Sequence, residues 1–174
     1  MTKNFTVQLV YMTPSLAGLD NVDAADEFEN LGDLTRRAGL HSLEATLDKA
    51  VIYYQYFLDA RESGRVMLAQ PYNSPNSFIL DDDDEKCDYH VADRLDVQLS
   101  SDILDNTVRR AGLESVDELL KRSLILFEQV VLAREAGWGV ALYDRKTGGH
   151  HQWIVDPDFA IAPSHHGPGA PTLQ

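Results

Sequence analysis

The chain has a single cysteine, Cys87, in 174 residues. An intrachain disulfide framework is therefore excluded, and a cytoplasmic compartment is expected. Long apolar runs are absent, and the first residues show no basic segment followed by an apolar stretch. Neither membrane insertion nor export is expected. Positive charge is scarce: 15 Lys and Arg stand against 28 Asp and Glu, a net charge of −13. Such a field disfavours encounter with nucleic acid and anionic membrane and favours basic protein surfaces. No nucleophile–base signature, phosphate-cradling glycine loop or paired-carboxylate pocket occurs, so the chain reads as non-catalytic. The pairs His150-His151 and His165-His166 lack a cysteine or carboxylate set around them. No metal or other cofactor is expected.

The acidity is unevenly spread. Residues 81–93 hold 7 acidic and 1 basic group, close to half of the excess, in a run that begins Asp81-Asp82-Asp83-Asp84-Glu85. It lacks the alternating Asp spacing of a calcium loop. By composition 81–93 reads as a solvated linker, with docking of a basic partner as the sharper alternative. Cys87 lies among these carboxylates, which raise a thiol's pKa, so it is not expected to be reactive.

What the chain does contain is itself, twice. Shifted by 73 positions, 36–64 falls on 109–137 without a gap, and 12 of 29 residues are identical. The matches include Arg36-Arg37-Ala38-Gly39-Leu40 over Arg109-Arg110-Ala111-Gly112-Leu113, and Ala60-Arg61-Glu62 over Ala133-Arg134-Glu135. A copied unit of this size usually buries its apolar face on its twin. A covalent pseudo-dimer is expected, with function on surfaces that both copies build.

Each copy shows the same order of elements. In the second, alternation over Leu95–Leu99 predicts a half-buried strand. Ser101 or Asp102 is placed to cap a short helix over about Ile103–Ala111, closed by Gly112. Ser115, with Glu118 as its capping-box partner, starts a helix running to about Ala136. Its apolar stripe is Val116, Leu120, Ser123/Leu124, Phe127 and Val131, widened by Leu119, Leu126 and Val130. Residues 139–143 and 152–155 read as a hairpin, with Trp138 and Trp153 packing on each other or on the long helix. In the first copy the strand is Phe5–Leu9, the short helix about Leu31–Ala38, and the long helix runs from Ser42 to about Ser63. Its stripe is Leu43, Leu47, Val51, Tyr54 and Leu58, and Val66–Gln70 with Ser77–Leu80 form a hairpin. Relative to the second copy it carries about 17 extra residues, roughly 11–28, acidic and read as partly helical. The expected organisation is 1–80, an acidic linker 81–93, 94–155, and a flexible Pro/Gly/His tail 156–174.

A strand, a short helix ending in Gly and a longer Ser-capped helix resemble the unit of the ribbon-helix-helix family. The resemblance covers most of 94–136 and about half of 1–64. It implies an α+β fold of two tandem units, each followed by a hairpin, whose strands pair into an antiparallel ribbon. In DNA-binding members the polar face of the ribbon enters the major groove, and the second helix turns its N-terminus to phosphate. Carried over, the ribbon face is Thr6, Gln8, Arg94, Asp96 and Gln98, and the anion-facing helix starts are Ser42 and Ser115. The basic pairs Arg36, Arg37, Arg109 and Arg110 are candidates for gripping phosphate or an acidic partner. The bland alternative leaves them solvated at helix ends, favourable to the dipole. Asp96 in mid-face, Glu114 before Ser115 and the acidic run beside Arg94 all depart from a DNA-reading surface. The expected function is therefore a regulatory protein that binds a protein partner, inhibitor- or antitoxin-like. Sequence-specific DNA binding and transcriptional regulation are the alternative, and Tyr53 and Tyr56 are candidates for further homo-oligomerisation.

Overall fold

The computed structural model describes residues 1–14, 28, 30–71, 77–82, 87–148 and 151–156, with backbone alone at 6–14, 87–95 and 151. The order is β1 (Thr2–Pro14), α1 (Leu31–Arg37), α2 (Leu43–Glu62), β2 (Arg65–Pro71), β3 (Phe78–Ile79), β4 (Cys87–Ser100), α3 (Ser101–Ala111), α4 (Val116–Glu135), β5 (Trp138–Asp144) and β6 (His151–Trp153). The chain is thus α+β, with strand–helix–helix–strand–strand written twice.

β1 and β4 form a two-stranded antiparallel ribbon whose register sets Asn4 opposite Gln98, Thr6 opposite Asp96 and Gln8 opposite Arg94. Val7-Gln8-Leu9 and Val97-Gln98-Leu99 stand equally far from the Thr6–Asp96 pair, so the matching tripeptides meet the ribbon centre alike. Val97 and Leu99 are buried while Asp96 and Gln98 are exposed, the alternation of a half-buried strand. Both strands outrun the sequence expectation. β1 continues through Tyr11–Pro14, past a register shift between Val10 and Met12. Part of the expected helical insertion is therefore strand, and its remainder lies outside the described residues except for Phe28, which is buried.

The helix ends obey local chemistry. Asn30 caps α1, its side chain accepting from Asp33 N at 2.8 Å. The helix over 101–111 begins two residues earlier than expected: Ser100, not Ser101 or Asp102, is its N-cap, and without a side-chain bond. Gly39 and Gly112 close the two short helices at φ 71° and 68°. A Cβ on Gly112 would meet nothing within 4 Å, so the left-handed backbone, not space, requires glycine there.

α2 and α4 pack on each other and form the core. Leu47, Val51, Tyr54 and Leu58 from α2 are buried, with Leu120, Leu124, Phe127 and Val131 from α4. The rings of Tyr53 and Phe127 lie 5.6 Å apart, tilted by 44°. Full burial of a Leu or Phe side chain contributes about 1.5–3 kcal/mol, so this interlocked stripe outweighs any single polar contact. The two hairpins, expected as separate, merge into one antiparallel sheet of order β3-β2-β5-β6, with β2 against α2 and β5 against α4. Leu80 N donates to Met67 O and Ile154 N to Val140 O, the same turn in both copies.

One buried group is out of keeping with this core. Glu128 is 3% exposed and its Oε2 has no hydrogen-bond partner. Burial pushes its carboxyl well above the usual carboxylate range. The aligned residue of the first copy is Gln55, whose amide donates to Thr107 Oγ1 at 3.2 Å. The folded chain holds the Glu128 proton more tightly than the unfolded chain does. That contribution to stability is full below the ordinary carboxyl range and is lost as pH rises through the raised value. Glu128→Gln is expected to stabilise the protein at pH 8 by about 1–3 kcal/mol and to flatten the decline between pH 5 and 8. Urea midpoints of both proteins across that range check this.

Candidate functional site

The ribbon is the surface on which the expected site residues converge. The register brings Thr6, Gln8, Arg94, Asp96 and Gln98 together on two paired strands, and directly opposed residues of an antiparallel pair share a face. Asn4, exposed and opposite Gln98, belongs with them and was missed. The Val-Gln-Leu match in both strands was the signal that could have placed it. Described side chains on this face carry amide, hydroxyl and carboxylate groups, with the acid Asp96 at the centre of the register.

The helix starts behave differently from the resemblance. Ser42 Oγ accepts from Ala45 N at 3.0 Å, and Ser115 Oγ accepts from Glu118 N at 3.1 Å. Both hydroxyls are N-caps, which satisfies donors left over at a helix start. At α4 the Glu118 carboxylate accepts from Glu114 N at 2.9 Å, one residue ahead of the cap, and from Arg122 Nε at 3.3 Å. The backbone bond, more than Arg122, holds Glu118 below its ordinary value. An anion approaching this start meets Glu114, Asp117 and Glu118, so α4 supplies its own negative charge to its dipole.

The basic pairs are corrected by their surroundings. Arg37 makes a forked contact to Glu135, Nη2 to Oε1 at 2.6 Å and Nε to both oxygens at 3.2 Å. Its guanidinium lies 4.1 Å from the centre of the Phe28 ring. Arg110, the aligned residue, grips Glu62 at 2.8 and 2.9 Å and also Asp59. Glu62 and Glu135 are themselves aligned, so each copy's short helix is tied to the other copy's long helix by the same pair of residues. Neither Arg37 nor Arg110 is a solvated helix-end charge or a docking group. Arg36 pairs with Asp33 on its own helix, and exposed Arg109 donates to Asp105 O at 3.4 Å.

The acidic run is corrected as well. Asp82 is buried, accepts from Tyr54 Oη at 2.7 Å and faces Arg122 at 3.6 Å. Gln129 Nε2 donates to Asp81 O at 2.5 Å. Burial, and then this bond to Asp82, raise the Tyr54 hydroxyl above its ordinary value. Residues 87–93 are strand, not linker. Asp83, Asp84 and Glu85 lie outside the described residues. In the second copy Asp156, expected in the tail, ion-pairs with Lys49 at 2.8 Å. Lys49 aligns with Arg122, so this tie too is reciprocal. The rest of the tail, 157–174, with His165-His166, lies outside the described residues, as does His150. Tyr53 is buried and bonded to Arg134 at 2.8 Å, whereas Tyr56 is 38% exposed. Only the second can reach a partner.

Sequence reasoning missed the carboxylates that complete these ties. The Ala-Arg-Glu run, preserved at the far end of both copies, pointed to Glu62 and Glu135. The arrangement can present hydrogen-bonding and acidic groups to a ligand. Among the described residues no set of three His, Cys, Asp or Glu is placed to hold a metal ion, and no helix is long and apolar enough to cross a membrane. No protein-family model, no curated protein and no solved structure matches the chain.

Arg37→Ala should cost about 1.5–3 kcal/mol in urea unfolding, because its forked bonds are largely shielded from water. Arg36→Ala, on an exposed side chain, should stay within about 0.5 kcal/mol. Equal losses for the two would show that the cross-copy tie contributes nothing special.

Proposed function

We propose that this chain is a non-catalytic regulatory binding protein, a single-chain ribbon-helix-helix-like pseudo-dimer that engages a protein partner in the manner of an inhibitor or antitoxin-like factor. One observation carries this reading. Apart from Arg94 on the ribbon, the named charges that would have to face a nucleic acid are acidic or already used. Asp96 stands at the centre of the ribbon register, Glu114, Asp117 and Glu118 crowd the start of α4, and Arg37 and Arg110 are committed to Glu135 and Glu62. Affinity for a duplex comes chiefly from cations set against phosphate, so such a surface forfeits the largest favourable term. A basic protein surface meets the opposite situation and is steered toward the chain.

Sequence-specific DNA binding is kept as the second reading because of the ribbon itself. Antiparallel strands that pair Asn4 with Gln98 and Gln8 with Arg94 carry residue types suited to adenine and guanine edges. The absence of a catalytic signature supports a binding role for either reading.

A mobility-shift assay at low salt against a pool of random duplexes tests the choice. No retained DNA is expected. Retention that falls steeply with salt and weakens on Arg94→Ala would overturn the protein-partner reading and make the ribbon a DNA-reading face.

A further inference from the structure

The two long helices differ on one face. On α4 that face is covered: Ile125, Glu128, Gln129 and Leu132 are each at most 5% exposed. β1 packs on α4, the amide of Gln129 clamps the backbone of Asp81, and Phe28 is buried under Arg37 at the adjoining short helix. On α2 the aligned face is open. Ile52 is 42% exposed where Ile125 is buried, Tyr56 is 38% exposed where Gln129 is buried, and Asp59 is exposed where Leu132 is buried.

The seam between α2 and α3 extends this face. Gln55 meets Thr107, and Asp59 and Glu62 meet Arg110, so the two helices run alongside each other in step. Ile103 precedes Thr107 by one turn of α3, as Ile52 precedes Gln55 by nearly one turn of α2. Ile103 is 49% exposed. Ile52 and Tyr56 on α2, and Ile103 on the neighbouring α3, are thus large apolar side chains left exposed on a chain rich in carboxylates.

Charge frames the patch. Glu44, Asp48, Ile52, Tyr56 and Asp59 recur at helical spacing along one stripe of α2. Glu44 and Asp48 are like charges one turn apart, a mutually repelling pair that a cation would relieve. Partial desolvation, and then Glu44, push the Asp48 carboxyl above its ordinary value.

We propose that the outer face of α2, anchored by Ile52 and Tyr56 with Ile103 across the seam, docks an extended segment of a partner protein that combines apolar and basic residues. The extended form follows from the covered face of α4, where Gln129 bonds both the N–H and the carbonyl of Asp81, a non-helical stretch of the chain's own backbone. The basic flanks follow from Glu44 and Asp48, since Asp59 is already paired with Arg110. The proposal rests on the protein-partner reading and supplies it with a site.

Panning a displayed library of random linear peptides on the full chain, and in parallel on Ile52→Asp and Tyr56→Lys, tests it. Both substitutions replace exposed side chains, and matched melting curves confirm that the variants fold. Enriched peptides are expected to join an aromatic or aliphatic residue to Lys or Arg, and to lose about tenfold or more in affinity on either variant. No enrichment, enrichment without basic residues, or binding indifferent to both substitutions overturns the proposal. So does a wild-type dimer, measured by size-exclusion mass, that becomes monomeric on Ile52→Asp, because the occupant is then a second copy. DNA retained by the ribbon would overturn the protein-partner reading alone, and peptide capture on α2 would remain separately measurable.

Discussion

Everything in this fold depends on the burial of α2 against α4. Each long helix carries an apolar stripe too wide to be left in water, and each buries that stripe against its twin. Once that contact forms, the short helices, the ribbon and the merged sheet have their places. The polar ties across the copies then fix alignment. Arg37 reaches Glu135 as Arg110 reaches Glu62, and Asp82 reaches Arg122 as Asp156 reaches Lys49. Apart from the shielded Arg37–Glu135 fork, these partly exposed ion pairs contribute little individually, and their weight lies in register: a slip of one helical turn between α2 and α4 would strand all four.

Much of this was legible in the sequence. Helical periodicity, Ser caps and terminating glycines located α1 to α4 within a residue or two, because those signals act over a single turn. The strand pairing was anticipated through a resemblance, while its register emerged only in three dimensions. The sheet that unites the hairpins was not legible, since β2–β5 pairing joins residues far apart in sequence and no local pattern encodes it. Composition misled at Asp81 and Asp82. Four consecutive aspartates look solvated in one dimension, but Tyr54, Arg122 and Gln129 are brought to the first two by folding. Arg37 and Arg110 misled for the same reason, their carboxylate partners lying 98 and 48 residues away.

The candidate surfaces divide by charge and by what is already satisfied. Arg37 and Arg110, which could have gripped phosphate, are paired with carboxylates inside the molecule, and Asp96 on the ribbon and the residues at the start of α4 are acidic. Of the large apolar side chains left in water, Ile52 and Tyr56 lie on α2, on a face whose counterpart the chain covers with its own residues. The copies share a scaffold but offer unlike surfaces, and a partner able to tell them apart would bind once per chain.

The Thr6–Asp96 pair shows what covalent fusion permits. In an assembly of two separate identical chains, a residue at the midpoint of an antiparallel ribbon must lie opposite its own duplicate. An aspartate there would confront another aspartate at cross-strand distance, a standing electrostatic conflict. Here the second seat is taken by threonine, so the midpoint is free to be chemically lopsided. Carrying both halves in one polypeptide removes the demand that every central residue tolerate itself, and it opens combinations that an assembly of two identical chains could not hold.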